Sequence, residues 1–224
     1  MIKICVSGSR GKMGGRILTL AKSDPRINVA GAFDVGTNPE PFIKECECLI
    51  EFTTPQATIE HVALCEKYKK AMVIGTTGLS DGERNRIAEA ARNIPIVFSS
   101  NMSIGVNLLF QLVENTARVL GAAYKARITE AHHVHKKDAP SGTATAFSVI
   151  IQNAGGVLEG PIQSNRDGEI IGDHTVIFES SVDTIELTHK AKTRDIFAQG
   201  ALEAAKFVVG KPARLYTMRE VLGI

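Results

Sequence analysis

The sequence lacks any apolar run approaching the ~20 residues that a transmembrane helix needs. Its first residues, Met1-Ile-Lys-Ile-Cys-Val6, show neither the charged start nor the long apolar stretch and cleavage site of a signal peptide. They read as a first β-strand instead, and a cytoplasmic location follows as the default. Charge of one sign is also missing. The net charge is only +2, too small to argue for nucleic acid as a partner, and basic residues gather only near Lys136 and Lys137. Cysteine is scarce. The four residues Cys5, Cys46, Cys48 and Cys65 form neither a C-x-x-C pair nor a zinc-type quartet. They read as reduced thiols, with Cys5 and Cys65 partly buried in apolar patterns. There is no internal repeat and no low-complexity segment. What remains is a chain of 224 residues, 44% hydrophobic. That is globular, with enough length for one large or two small domains and a real core.

The first half alternates strands with helices. Ile2 to Val6 is an apolar run of strand length. Ser7 to Gly15 is glycine-rich, and Arg16 to Lys22 has helical periodicity. Gly8, Gly11 and Gly14 are spaced G-x-x-G-x-x-G, a variant of the dinucleotide fingerprint. Glycines let the backbone approach a pyrophosphate, and a helix N-terminus offers free N–H groups to it. A second strand, Asn28 to Phe33, ends in Asp34. A carboxylate there suits the adenosine ribose hydroxyls and favours NAD. Val35 follows it, so an obvious partner for a 2′-phosphate is missing, although Lys12 could partly serve. Leu49 to Phe52, Ala71 to Ile74 and Pro95 to Phe98 read as further strands. Helices follow from Pro55 to Lys70 and from Ser80 to about Asn93, the latter behind a capping box. His61 reads as a solvated helix residue. Such β-α-β units imply a parallel, doubly wound sheet. Ligands lie at the carboxyl ends of its strands, where Gly8–Gly14, Asp34, Phe52–Thr53, Gly75–Gly78 and Ser99–Met102 fall.

The second half is α+β. A helix runs from Ser103 to about Leu120, a strand from Tyr124 to Ala131 and a helix from Thr143 to Asn153. Residues 155–172 read as loop carrying Arg166. Two strands follow, His174 to Glu179 and Thr184 to His189, then a long helix from Arg194 to Val209. The expected fold is α/β: a Rossmann-type doubly wound parallel sheet, plus a smaller α+β domain with an open mixed sheet. The expected division is residues 1–103 with 195–224, and 104–194.

One stretch stands apart, Glu130-Ala-His-His-Val-His-Lys-Lys-Asp-Ala-Pro-Ser-Gly-Thr143. It holds three of the six histidines. Imidazoles and ammoniums repel when charged and are costly to bury. Their concentration before a helix start points to a small anionic substrate that needs a proton.

This stretch resembles the 4-hydroxy-tetrahydrodipicolinate reductase (dihydrodipicolinate reductase) family, in the motif Glu-Ala-His-His-x-His-Lys-x-Asp-Ala-Pro-Ser-Gly-Thr. Val6-x-Gly-x-x-Gly-x-Met-Gly14, Phe52-Thr53, Gly75-Thr-Thr-Gly78, Asn101-x-Ser-x-Gly-Val-Asn107, Arg166-x-Gly168, Glu186-Leu-Thr-His-Lys-Ala191, Arg194 and Phe197-Ala-x-Gly-Ala201 are similar too. The resemblance implies NADH- or NADPH-dependent reduction of a cyclic dicarboxylate imine in lysine and diaminopimelate synthesis, and a homotetramer built on the second domain. By position it makes Gly8, Ser9, Arg10, Gly11, Lys12, Met13, Asp34, Phe52, Thr53, Gly75, Thr76, Thr77, Ser99, Ser100, Asn101 and Met102 the cofactor contacts. It makes His132 and Lys136 the catalytic pair, and gives His133, Ser141, Gly142 and Thr143 to the substrate. Departures exist: Lys12 stands where arginine is common, Met102 where an aromatic is frequent, and Val134 where arginine is usual. Val182-Asp183 stands for Gly-Glu, and the span from Asp34 to Leu49 is short.

The residues suit the chemistry implied. Water is lost, hydride adds to ring C4, and a proton reaches the neighbouring carbon. Ser141-Gly-Thr143 at a helix start can hold a carboxylate, and Gly142 permits close approach. His132 and Lys136 can each deliver a proton, and the choice between them stays open. Asp138 reads either as orienting Lys136 or as capping a turn. His174 and His189 read as structural or interface residues. NADH is expected to work at least as well as NADPH. Two other readings compete. A metal-dependent hydrolase or lyase would use His132, His133 and His135, but adjacent strand residues face apart. No metal is expected. A non-catalytic NAD-binding sensor would leave His132 and Lys136 superfluous.

Overall fold

A computed structural model describes residues 1–224. The chain forms two compact units, residues 1–104 with 195–223, and residues 105–194 with the last residue.

In the first unit, β1 (Ile2–Ser7), β2 (Ile27–Phe33), β3 (Cys48–Glu51), β4 (Ala71–Ile74), β5 (Ile96–Phe98) and β11 (Leu215–Tyr216) make one sheet. The order is β11-β5-β4-β3-β1-β2, and every pairing is parallel. Parallel neighbours need crossover connections. Helices α1 (Lys12–Ala21), α2 (Glu40–Glu45), α3 (Pro55–Lys67) and α4 (Asp81–Ala90) supply them. Side chains alternate along each strand, so both faces are covered. Ile4, Val6, Ile50 and Val73 pack with Ile17 of α1 and with Ala201 and Ala205 of α7 (Asp195–Val208). Cys5, Leu49, Met72 and Ile96 face the other way, onto Val62 and Cys65 of α3 and Ile87 of α4. All four cysteines are buried and unbridged. Burial pushes the Cys5 thiol up to about 12 and the Cys46 thiol to about 11, so neither is a nucleophile at neutral pH.

Four details differ from expectation here. Helix α1 begins at Lys12 rather than Arg16, because the glycines allow its first turn to sit on the preceding loop. Helix α2 occupies the short span after Asp34, where Pro39 and Pro41 gave no helical pattern to read. A sixth strand, β11, pairs with β5. His61, expected in solvent, is 8% exposed, because α3 turns it under the sheet's carboxyl edge.

In the second unit, α5 (Ile104–Leu120) and α6 (Gly142–Asn153) lie on one face of a mixed sheet. Its strands are β6 (Lys125–His132), β7 (Val157–Leu158), β8 (Gln163–Arg166), β9 (Asp173–Glu179) and β10 (Thr184–Lys190). The order is β10-β9-β6-β7, with β8 also on β6. The β9 pairings are antiparallel and the β7 and β8 pairings parallel. Ala126, Ile128, Val176 and Phe178 face Leu109, Val113, Phe147 and Ile151. On the opposite face Arg127, Thr129, Thr175, Ile177 and Thr188 are not buried. Residues 155–172, expected as loop, contribute β7 and β8. β7 is only two residues long and β8 has a polar sequence, and both lean on β6 for pairing. The chain closes on α8 (Met218–Leu222), capped reciprocally by Thr217 and Glu220. No helix is long and apolar enough to cross a membrane.

Candidate active site

In the first unit the strand order reverses at β1, which has β2 on one side and β3 on the other. Ligands of doubly wound sheets bind outside the strand ends at such a switch point. Gly8 follows β1 with φ +65°, and a Cβ there would lie 3.0 Å from the Phe52 carbonyl oxygen. A Cβ on Gly14 would lie 2.1 Å from the Gly8 oxygen. The turn therefore closes tightly onto the start of α1, leaving Ser9, Arg10, Gly11 and Lys12 on its outer side. This backbone cradle fits the diphosphate of a dinucleotide.

Asp34 ends β2 as expected. Its carboxylate accepts the backbone N–H of Arg10 at 2.7 Å and of Val35 at 2.8 Å. Those two hydrogen bonds hold it below the ordinary carboxylate range. The Arg10 guanidinium lies 3.7 Å from the carboxylate and donates to the Val35 carbonyl. A cation thus stands beside Asp34 after all, supplied by the glycine turn rather than by the residue after the aspartate.

Two expected cofactor contacts have buried side chains. Thr76 is 3% exposed; its Oγ1 accepts the Thr53 N–H at 3.2 Å and the Thr58 hydroxyl at 2.9 Å. Met102 is 1% exposed and sits in the core, its carbonyl against Gly200 of α7. Gly75 admits the Phe52 ring, since a Cβ there would lie 2.2 Å from it. Thr77 and Ser100 are exposed and Ser99 and Asn101 half-buried.

In the second unit β6 sets the site. Glu130 and His132 are two residues apart, so they share the face toward α5 and α6. His132 Nδ1 hydrogen-bonds the Glu130 carboxylate. The other Glu130 oxygen takes Arg166 at 2.9 Å, and Arg166 also donates to the Asp138 carbonyl at 2.6 Å. Burial alone would raise the Glu130 carboxyl; hydrogen bonds from Arg166, Ser164 and His132 outweigh it and hold the group low. Burial pushes the His132 imidazole down, against the upward pull of Glu130. In the neutral form of His132 the contact with Glu130 places the proton on Nδ1 and leaves a lone pair on Nε2. His174, 4% exposed, stacks edge-on to His132 with ring centroids 5.1 Å apart. Burial, then the neighbouring His132, lowers it to about 4.

Beyond β6 the chain turns. His133 donates its N–H to Ile170 at 2.7 Å and accepts that of Lys136 at 3.1 Å. The strand has ended, so His132 is buried while His133 is half-buried. Lys136 Nζ lies 2.9 Å from Asp138, which settles Asp138 as its ion-pair partner. Ser141 caps α6: its Oγ accepts the Ala144 N–H at 3.2 Å and lies 3.2 Å from His174 Nε2. That hydroxyl is engaged; at the same helix start Gly142 is exposed and Thr143 half-buried. His174, read as structural, thus lies beside His132 and Ser141.

The triad His132, His133 and His135 does not form a metal site. The groups that do converge are Glu130, His132 and His174, with ligand atoms within 4.8 Å of one another. Arg166 already neutralises that carboxylate. His135 is exposed, 3.9 Å from Glu169.

Family models described as dihydrodipicolinate reductase match residues 2–102 (N-terminus) and 105–222 (C-terminus). The chain belongs to the dihydrodipicolinate reductase family. Relatives named 4-hydroxy-tetrahydrodipicolinate reductase include one from Syntrophotalea carbinolica, 35% identical with all of both chains covered. Another, from an Anaeromyxobacter species, is 37% identical over all of this chain and 98% of that one. The first alignment runs over 266 positions against 224 residues here. The dipicolinate-bound dihydrodipicolinate reductase of Paenisporosarcina sp. TG-14 shares the fold, with a TM-score of 0.85, 24% identity and 98% of each chain covered.

Within this reductase frame, the sequence reading gave Glu130 no role, took His174 as a structural or interface residue and left Arg166 unassigned. A usable signal existed for Glu130, since period-two spacing puts it on the face of His132. None existed for His174, which β9 brings opposite Glu130 by register.

Proposed function

We propose that the protein reduces 4-hydroxy-tetrahydrodipicolinate to tetrahydrodipicolinate with loss of water, using NADH or NADPH, in lysine and diaminopimelate synthesis. The observation that carries the residue roles is the grouping of a Glu130-bound imidazole, an Asp138-paired ammonium and a helix N-terminus within one short stretch. The nicotinamide, when bound, supplies the hydride. The Gly8–Gly14 turn holds the diphosphate and Asp34 takes ribose hydroxyls. The N–H groups of Gly142 and Thr143 receive one substrate carboxylate, and His133 assists in binding. Lys136 holds the proton for the carbon next to the reduced one. Neutral His132 has no proton to give from Nε2, which favours Lys136 as the donor and His132 as the group that orients substrate or ammonium.

Arg10 supports use of both dinucleotides: Asp34 suits a free ribose 2′-hydroxyl, and the adjacent guanidinium suits a 2′-phosphate. The reductase assembles as a homotetramer through the uncovered face of the second unit's sheet, and it works in the cytoplasm. A coupled assay with dihydrodipicolinate synthase, following NADH and NADPH oxidation separately, tests the activity. Light scattering tests the assembly.

A further inference from the structure

The mechanism leaves one buried charged group unused, at the switch point of the first unit. Glu51 is the last residue of β3 and is 0% exposed. Ser7, the last residue of β1, donates its hydroxyl to Glu51 Oε2 at 2.6 Å. His61 of α3 places Nδ1 2.6 Å from the same oxygen. The Thr53 hydroxyl donates to Oε1. The backbone joins in, since the Glu51 carbonyl accepts the Gly75 N–H at 2.9 Å. Thr53 is linked onward to Thr76. His61 is wedged edge-on against Phe33, the residue before Asp34, with centroids 5.1 Å apart.

A carboxylate without solvent is tolerated only when paired and hydrogen-bonded. Here three donors converge on it, and each comes from a different segment. Ser7 precedes Gly8 directly. Thr53 contributes the methyl carbon that packs against Gly8, 3.0 Å from where a Cβ would stand. The groups that satisfy Glu51 are therefore the groups that shape the glycine turn and the loops after β3 and β4. A core apolar side chain could fill the same volume, but it could not fix the direction of three separate loops.

We propose that Glu51, locked by His61, Ser7 and Thr53, is a positioning residue that holds the dinucleotide-binding loops in register. It touches neither substrate nor the reacting atoms. The proposal rests on the cofactor assignment made above, and it adds a specific source for that site's rigidity. It predicts a selective defect. In Glu51→Gln and His61→Gln, the KM for NADH should rise about tenfold or more. The KM for the dicarboxylate substrate and kcat at saturating NADH should move far less.

The experiment measures both KM values and kcat on the full-length enzyme, with NADH binding followed by fluorescence and folding by circular dichroism. Should Glu51→Gln fail to fold, Ser7→Ala removes one donor and leaves the carboxylate paired to His61, so it carries the same test. A merely structural role predicts a lowered Tm with both KM values unchanged. That result in folded variants overturns the proposal alone, as does an equal rise in both KM values. A folded wild-type enzyme that binds neither NADH nor NADPH overturns the cofactor assignment and this proposal together.

Discussion

Glu130 decides what His132 can do. With its Nδ1 proton given to that carboxylate, the imidazole is fixed in one tautomer, and Nε2 is left as an acceptor. Lys136→Ala should lower kcat about a hundredfold, as loss of a positioned acid does. His132→Ala should cost a similar factor through lost orientation. Comparable turnover by both variants and the wild type in the coupled assay would sink this division of roles. Arg10→Ala should raise the KM for NADPH about tenfold, the scale of one lost charge-assisted hydrogen bond, and leave that for NADH nearly unchanged. Steady-state kinetics with each dinucleotide checks it. At this scale Asp34, Lys136 and the glycines were legible, because their chemistry is local. His61 was not. Its neighbours in sequence look like a solvated helix, and only the partner Glu51, ten residues earlier, explains its burial.

Helices α1 and α6 carry the two proposed anion-binding ends. For α1 the close approach to Gly8 leaves no room for a methyl group. Gly14→Ala should therefore destabilise the fold by at least about 2 kcal/mol, as overpacking of a tight contact does, with weaker NADH binding. Urea titration and a fluorescence binding curve read the two effects. For α6 the cap is Ser141, and Ser141→Ala should cost about 1 kcal/mol. The stretch from Glu130 to Thr143 stood out as one candidate site because it is continuous in sequence. Strand β8 was not, since Gln163-Ser-Asn-Arg166 has no apolar alternation and is a strand only because β6 offers it a parallel edge. Helix α2 was missed for the opposite reason, being too short for periodicity to register.

Across the whole molecule, buried histidines set the acid limit. His174 in the folded chain lies at about 4 against an ordinary 6.5. The unfolded chain takes up this proton first as pH falls. The stability tied to neutral His174 is thus complete above pH 6.5 and is lost progressively toward pH 4, to at most about 3 kcal/mol. The lowered His132 adds in the same direction. Urea unfolding at pH 7 and pH 4.5 measures the loss, and His174→Gln should flatten it. By itself the sequence determined the doubly wound first half, the α+β second half, the phosphate-type turn and the histidine-lysine stretch. Period, glycine spacing and local charge are written along the chain. Only the tertiary structure decided that Arg166 and His174 join Glu130, that the Met102 and Thr76 side chains are buried, and that His61 meets Glu51. Each of those facts depends on strand register or on which face of a helix is turned inward, and such pairings arise only when distant segments bury their surfaces against one another.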